Sequence, residues 1–210
     1  MGSHTFDISG ADRLENAADR YRYLSEEELL ALVEPEKDAV LADIGSGTGF
    51  YTDSIAGATG TVLALDIQPS MHAYYQEKGL PSAVQPVVTT ISTLPISTDA
   101  LDGAFSTMTY HEFEDEAALA ELARTITPGG RLVIVDWSTA GTGSAGPPLE
   151  ERRSLESATR ATRGRWICRS SGPNRGVKRG YSLRFGDRIR GEFLSQKTAA
   201  VFPYAIRPSL

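Results

Sequence analysis

The stretch VLADIGSGTGFYT, residues 40–52, runs from an apolar segment into three glycines at alternate positions, Gly45, Gly47 and Gly49. A short apolar run closed by glycines, which admit left-handed backbone, reads as a buried strand entering a tight turn. The residues that follow, 50–57, read as a helix. Strand, glycine turn and helix N-terminus together make a cradle in which backbone can approach a ligand closely. A strand-to-helix turn with no ligand would use the same glycines, so the neighbouring segments must decide.

Outward from this turn, apolar runs alternate with amphipathic ones. AVLAD (39–43), TVLALD (61–66), AVQPVVTT (83–90), ALDGAFSTM (100–108) and RLVIVDW (131–137) read as five strands. PSMHAYYQEK (69–78) opens on proline, which suits the first turn of a helix. EDEAALAELARTI (114–126) has acids in its first turn and Arg124 near its end, matching the helix dipole, and PGG stops it. Upstream, residues 11–33 read as two short helices, the second opened by a capping box between Ser25 and Glu28. This alternation predicts an α/β fold, a doubly wound and mostly parallel Rossmann-like sheet. Ligands of such sheets sit beyond the carboxyl ends of the strands, where strand order reverses. Gly45, Asp66, Thr90 and Thr107 all fall at such ends.

The glycine spacing separates the possible ligands. A dinucleotide-binding turn requires G-x-G-x-x-G, and Phe50 stands where its third glycine belongs. Asp43 approaches the turn, where a carboxylate sits poorly beside a pyrophosphate and well beside an ammonium. S-adenosyl-L-methionine carries an ammonium, a carboxylate and a sulfonium in its methionyl half. Asp66 is placed to accept hydrogen bonds from two ribose hydroxyls, a role that equally suits NAD.

With these motifs in order, residues 39–137 resemble a class I S-adenosylmethionine-dependent methyltransferase, of the broad group that includes the ubiquinone- and menaquinone-biosynthesis enzymes. VLADIGSGTG resembles the family's first motif and LALDIQPSM its ribose-binding strand end. STLPISTDALDGAFS resembles the entry to the fourth strand, and LARTITPGGRLVIVDW the helix, turn and strand that follow. The resemblance implies that Asp43, Gly45, Ser46, Gly47 and Gly49 line the methionyl half of the cofactor, Asp66 its ribose and Ile67 its adenine face. The family usually has an acid after the third strand to bond the adenine amino group. Here Thr90 holds that position with an uncharged hydroxyl, and Ile91 offers its backbone N–H to the ring. Thr107, ending the fourth strand, completes the implied set.

The implied chemistry is in-line transfer of a methyl group to a small-molecule acceptor, in which the protein aligns the nucleophile and, where needed, removes its proton. In this fold the end of the fourth strand, STMTYHEFED, faces the methyl group. Tyr110, His111 and Glu112 are therefore the candidates to orient or deprotonate the acceptor. The alternative for the histidine is a packing or backbone-bonding role. Residues 1–38 are expected to form a helical lid, 39–150 the cofactor-binding domain and 151–210 an atypical tail.

Composition narrows the remaining classes. The 210 residues carry a net charge of −6 and one cysteine, Cys168, which excludes an internal disulfide and fits a reducing, cytoplasmic setting. No apolar run approaches the ~20 residues of a membrane span, and the acidic start of the chain does not read as a signal peptide. The three histidines are scattered without metal-ligand spacing, so no metal site is expected. Residues 1–150 hold 23 acids and 7 bases, whereas 151–210 hold 4 acids and 14 bases. An acidic domain repels phosphates, and the strand end lacks the Asn/Asp-Pro-Pro-aromatic motif of nucleic-acid amino-methyltransferases, so nucleic acid is not the expected acceptor. Two rival readings stay open at this point: a nicotinamide-dependent oxidoreductase, and an RNA-binding or interaction protein using the basic tail.

The tail raises its own question. From RATRGRWICRSSGPNRGVKRG onward the chain turns basic and loses amphipathic period, as an out-of-frame reading of GC-rich codons would. Reading Arg160–Arg165 one nucleotide later is compatible with Glu-Leu-Leu-Glu-Asp-Ala, followed at Trp166–Ile167 by Gly-Phe. This reading expects residues from about 160 onward to pack poorly and leave one sheet edge uncovered. The contrary reading is a genuine basic extension with a hairpin around YSLRFGDRIRGEF, where Tyr181, Leu183 and Phe185 alternate.

Overall fold

The computed structural model describes residues 6–113, 115–140, 145–152 and 157, together with the backbone of strands 166–170 and 178–185. The N-terminal segment folds as α1 (Ala11–Leu14), α2 (Ala17–Tyr21) and α3 (Glu26–Val33), three short helices where the sequence suggests two. Asn16 makes the extra break: its side chain caps α2 by accepting from the Asp19 N–H. The capping box of α3 forms as read, with Ser25 and Glu28 each accepting the other's backbone N–H.

The next elements are β1 (Val40–Ile44), α4 (Phe50–Ala56), β2 (Thr61–Asp66), α5 (Pro69–Lys78), β3 (Val84–Val88), β4 (Leu101–Thr107), α6 (Glu116–Thr125) and β5 (Ile126–Trp137). The five strands are parallel, in the order β3-β2-β1-β4-β5. Strand order reverses between β1 and β4, so their carboxyl ends bracket the crevice where such sheets bind ligands. β5 starts five residues before the run read from the sequence, because its register shifts against β4 between Leu101 and Gly103.

The central strands β1 and β4 and the second half of β5 bury both faces, which is why their runs are almost continuously apolar, whereas the edge strand β3 exposes Gln85 and Val88. Leu132 and Ile134 of β5 join Ala42, Ile44 and Ala104 in one core, covered by Leu119 and Leu122 of α6. Val133 and Val135 face the other way, with Leu41, Val62 and Phe105, against Leu29 of α3, Ile55 of α4 and Tyr75 of α5.

The sheet does not end at β5. β7 (Lys178–Phe185) pairs antiparallel with β5, from Arg131 opposite Arg184 to Trp137 opposite Lys178, and β6 (Trp166–Ser170) pairs antiparallel with β7. This corrects the expectation of an uncovered edge. The two-residue alternation of Tyr181, Leu183 and Phe185 does extend as a strand, but its partners are β5 and β6 rather than the residues after it. The readings made for 160–165, 171–177 and 186–210 lie outside the described residues. In the stretch after Trp137, which reads as a flexible glycine-rich segment, residues 138–140 and 145–148 are described, and Gly146, at φ +79°, lies against the Trp137 indole where any Cβ would collide. Arg152 covers the same ring at 5.5 Å and donates to the carbonyls of Pro147 and Ala145.

Candidate functional site

A cavity of about 350 Å³ opens at the carboxyl ends of β1, β2 and β4. Its walls include Gly45, Ser46 and Gly47 from the turn after β1, and Asp66 and Ile67 after β2. Thr90 and Ile91 follow β3, and Thr107 and Glu112 lie at and after the end of β4. Residues as far apart in sequence as Gly45 and Glu112 thus share one chamber, because parallel strands deliver all their carboxyl ends to one side.

The three glycines divide their work. Gly45, Gly47 and Gly49 all have positive φ, at +69°, +55° and +82°. A Cβ on Gly49 would run into the Tyr75 ring and one on Gly45 into Thr109, so these two serve packing around the turn. A Cβ on Gly47 would meet only Leu14 Cδ1, 4.0 Å away, so its bare backbone faces open space. Gly49 does not line the cavity, contrary to the sequence reading. Ser46 does, and its buried hydroxyl has no hydrogen-bond partner among the described residues.

Asp66 braces the turn as well as facing the cavity. One carboxylate oxygen accepts the Gly47 N–H at 2.8 Å and the other the Gln68 N–H at 2.8 Å. Each oxygen has a further lone pair, so both can still accept a hydroxyl. Ile67 beside it is 50 % exposed, an apolar face suited to a flat ring. Thr90 turns its hydroxyl toward the Ser92 N–H at 3.2 Å, which a stronger partner could displace.

Asp43 departs from its expected place. It is 1 % exposed, lies behind the turn rather than on the cavity wall, and accepts a 2.6 Å bond from Thr52 Oγ1. Its second oxygen is buried without a partner among the described residues. Burial pushes this carboxyl up to about 7, with the Thr52 bond and the Arg20 charge opposing and Asp66 and Asp53 adding to the rise.

Beyond β4 the chain makes a strained corner: Met108, on the cavity wall, has φ +63°. The three candidates beyond it separate. Tyr110 is buried in the core, edge-on to Phe113 with ring centroids 5.4 Å apart, and does not reach the cavity. The tyrosine assignment is therefore corrected; its position after the strand is occupied by packing. His111 is also off the cavity wall, its side chain 9 % exposed, with Nδ1 3.0 Å from both carboxylate oxygens of Asp136. Only Glu112 lines the cavity, its side chain 30 % exposed and Oε1 4.0 Å from His111 Nε2.

Asp136 is a residue the sequence reading passed over. It is the penultimate residue of β5, is 5 % exposed, and accepts the backbone N–H groups of His111 and Trp137, each at 2.8 Å. Its only signal in sequence is an acid at the close of an apolar strand, the same signal that marks Asp66. Burial lowers the His111 pKa, but the hydrogen bond and charge of Asp136, with the charges of Glu112 and Glu151, outweigh it and raise the value overall. Burial likewise pushes Glu112 up to about 7, with His111 opposing and Asp66, Asp136 and Glu151 reinforcing. The result is a line of titratable groups, Asp136, His111 and Glu112, that ends in the cavity.

Residues 42–134 match the family model described as "Methyltransferase domain". Over 85 % of its length the chain superposes on the solved structure of a SAM dependent methyltransferase from Aquifex aeolicus. The two are 26 % identical at a TM-score of 0.76, and 99 % of that chain is covered. Residues 42–134 form a class I S-adenosylmethionine-dependent methyltransferase domain. Among curated relatives, the chain is 37 % identical over 105 residues to the biotin biosynthesis bifunctional protein BioHC of Cellvibrio japonicus, a match to 50 % of this chain and 20 % of that protein. It is 30 % identical over 113 residues to the tRNA U34 carboxymethyltransferase of Ruthia magnifica, a match to 50 % of this chain and 35 % of that protein. The chain thus spans about a third or less of the length of these two relatives. The methyltransferase cofactor, S-adenosylmethionine, fits the groups present: bare backbone at Gly47, the Ser46 hydroxyl, and acceptors on Asp66. Among the described residues no helix is long and apolar enough to cross a membrane, and no group of acids, histidines and cysteines could hold a metal ion.

Proposed function

We propose that the chain methylates a small, uncharged or cationic acceptor that enters the cavity beside Glu112. When bound, S-adenosylmethionine supplies a methyl group on a sulfonium sulfur, electrophilic enough that little else need be activated. The carrying observation is that the glycine turn, Asp66 and Glu112 share one cavity. Gly45, Ser46 and Gly47 hold the amino-acid end of the cofactor and Asp66 its ribose. Ile67, Thr90 and Ile91 hold the adenine, and Thr107 lies at the base of the methyl-facing corner. Glu112 takes the acceptor's proton. His111, fixed by Asp136, positions the Glu112 carboxylate and stabilises its ionised form. Residues 6–21 cover the site, since Phe6, Leu14 and Arg20 contribute to its wall.

The acceptor class follows from charge. Glu112 and Asp115 line the acceptor side with no base among them, which disfavours an anionic acceptor such as a nucleic-acid phosphate backbone. The single cysteine suits a cytoplasmic setting. The test is calorimetric titration with S-adenosylhomocysteine and with NAD, followed by incubation with methyl-labelled cofactor and either a metabolite extract or total RNA. Binding of S-adenosylhomocysteine but not NAD, with label appearing in metabolites, supports the proposal. Binding of NAD alone overturns it, and label confined to RNA overturns the acceptor class.

A further inference from the structure

Arg20 is the one cation among the residues lining the cavity, and it makes no ion pair with a carboxylate among the described residues. Its Nε is buried without a hydrogen-bond partner. The guanidinium lies instead across two aromatic faces, 5.5 Å from the Phe50 ring centroid and 4.7 Å from that of Tyr51, both in the first turn of α4 directly after the glycine turn. Cation–π contacts of this kind orient a guanidinium without satisfying its N–H donors; the Tyr51 hydroxyl offers one side-chain hydrogen bond, and Nε keeps no acceptor among the described residues.

The segment carrying Arg20 is moored. Tyr51 donates its hydroxyl to the Arg20 carbonyl at 3.1 Å. Nearer the N-terminus, Tyr74 donates to Asp12 at 2.8 Å, Lys78 to Glu15 at 3.1 Å and the Gln68 side chain to the Phe6 carbonyl at 3.1 Å. The arginine is thereby held beside the turn by contacts that do not involve its own charge. Leaving a half-buried guanidinium without a carboxylate partner is costly, and burial accordingly pulls the Arg20 pKa down against the opposing charges of Tyr51, Glu15 and Asp43 and a hydrogen bond with Tyr51.

We infer that Arg20 is the carboxylate-binding residue of the cofactor site, closing from the N-terminal segment on the α-carboxylate of the methionyl group. The inference rests on the methyltransferase reading and adds to it an anion site that neither the glycine turn nor any strand end supplies. A planar guanidinium presents paired N–H donors that match the two oxygens of a carboxylate. The buried Asp43 lies behind the turn, so the zwitterionic end of the ligand has an arginine on one side and an aspartate beyond the turn on the other.

The experiment compares two ligands on the full chain. S-adenosylhomocysteine carries the carboxylate, whereas 5′-methylthioadenosine keeps the adenine, ribose and sulfur and lacks the amino-acid end. Charge-assisted hydrogen bonds of this type are worth about 10- to 100-fold in affinity. Arg20→Met, which keeps the stem packed on the two rings, should therefore weaken S-adenosylhomocysteine by about that factor. It should leave methylthioadenosine within about 2-fold, because that ligand has no carboxylate to lose. Arg20→Lys should fall between parent and Arg20→Met. An unchanged affinity for S-adenosylhomocysteine in Arg20→Met overturns the assignment while leaving the methyltransferase reading intact. Equal weakening of both ligands also overturns it, since that marks a purely structural role. A parent chain that binds neither ligand overturns the underlying reading and this assignment together.

Discussion

The two walls of the cavity are built on different principles. At the β1–β2 end recognition is mostly backbone: three glycines with positive φ, a turn braced by Asp66, and an open face over Gly47. At the β4–β5 end it is mostly side chain: a strained Met108 and a line of three titratable groups anchored on Asp136. A backbone cradle suits a ligand that never varies, because glycine conformation is fixed by the fold. A wall of titratable side chains suits the reacting partner, whose charge changes during the reaction.

The largest effect should come from the second wall. A general base works only when ionised, and Glu112 has its pKa pushed up to about 7. Turnover should therefore rise as pH climbs through about 7 and level off above it. Glu112→Gln should cut kcat by ~10²–10⁴ and flatten that rise, with binding of S-adenosylhomocysteine little changed. A Glu112→Gln enzyme with the parent's rate and pH profile would remove Glu112 from the chemistry. Asp136→Asn supplies a finer readout: it should lower the His111 pKa, followed by NMR titration of the ring, because the raising influences come chiefly from Asp136.

Next in size is a contrast within the first wall. Gly49→Ala must place its Cβ into the Tyr75 ring at φ +82°. Overpacking and left-handed backbone together should cost ~3 kcal/mol or more, a fall in Tm of roughly 10 °C for a chain of this size. Gly47→Val meets only open space, so it should lose ~1–2 kcal/mol of stability from its backbone conformation, yet abolish measurable cofactor binding. If the two variants lose stability equally, the division of labour among the glycines is wrong. Asp66→Ala should rank below both, weakening S-adenosylhomocysteine by about 10- to 100-fold through lost charge-assisted bonds. It also strands the Gly47 and Gln68 N–H groups that the carboxylate now satisfies.

How far each wall could be read from sequence follows the same divide. The glycine turn, the two acids at strand ends and the five parallel strands were legible because they depend on local pattern: glycine spacing, apolar runs, and acids closing those runs. What was not legible depends on three-dimensional partners. Nothing local distinguishes Tyr110, which packs on Phe113, from Glu112 two residues on, which lines the cavity. Asp136 and Arg20 reach the site from 25 residues after His111 and 23 before Asp43, and neither carries a motif. Asp43 was legible as an acid before the turn, but its bond to Thr52 was not, and that bond takes it off the cavity wall. In the tail, composition argued for an uncovered sheet edge, yet β6 and β7 extend the sheet, because strand pairing needs backbone hydrogen bonds and a two-residue period more than it needs a favourable charge balance.

The smallest predicted effect concerns charge over the whole first 150 residues, which hold 23 acids against 7 bases. Four of those bases, Arg22, Lys78, Arg124 and Arg131, already sit in ion pairs. The remaining three cannot neutralise the acids left over, so the folded domain carries net self-repulsion that the unfolded chain, with its charges farther apart, partly relieves. Screening length falls from ~10 Å at 0.1 M salt to ~3 Å at 1 M. The exposed ion pairs weaken under the same screening, but each is worth only ~0–1 kcal/mol, and they are fewer than the uncompensated acids. Repulsion should therefore be the larger of the two effects lost, and Tm should rise between 0.1 and 2 M KCl. The basic residues of 151–210 offset part of the acidic excess, which limits the gain to a few degrees, roughly what 1 kcal/mol shifts a domain of this size. A Tm that stays flat or falls over this range would show that the ion pairs and the tail already balance the acidic surface.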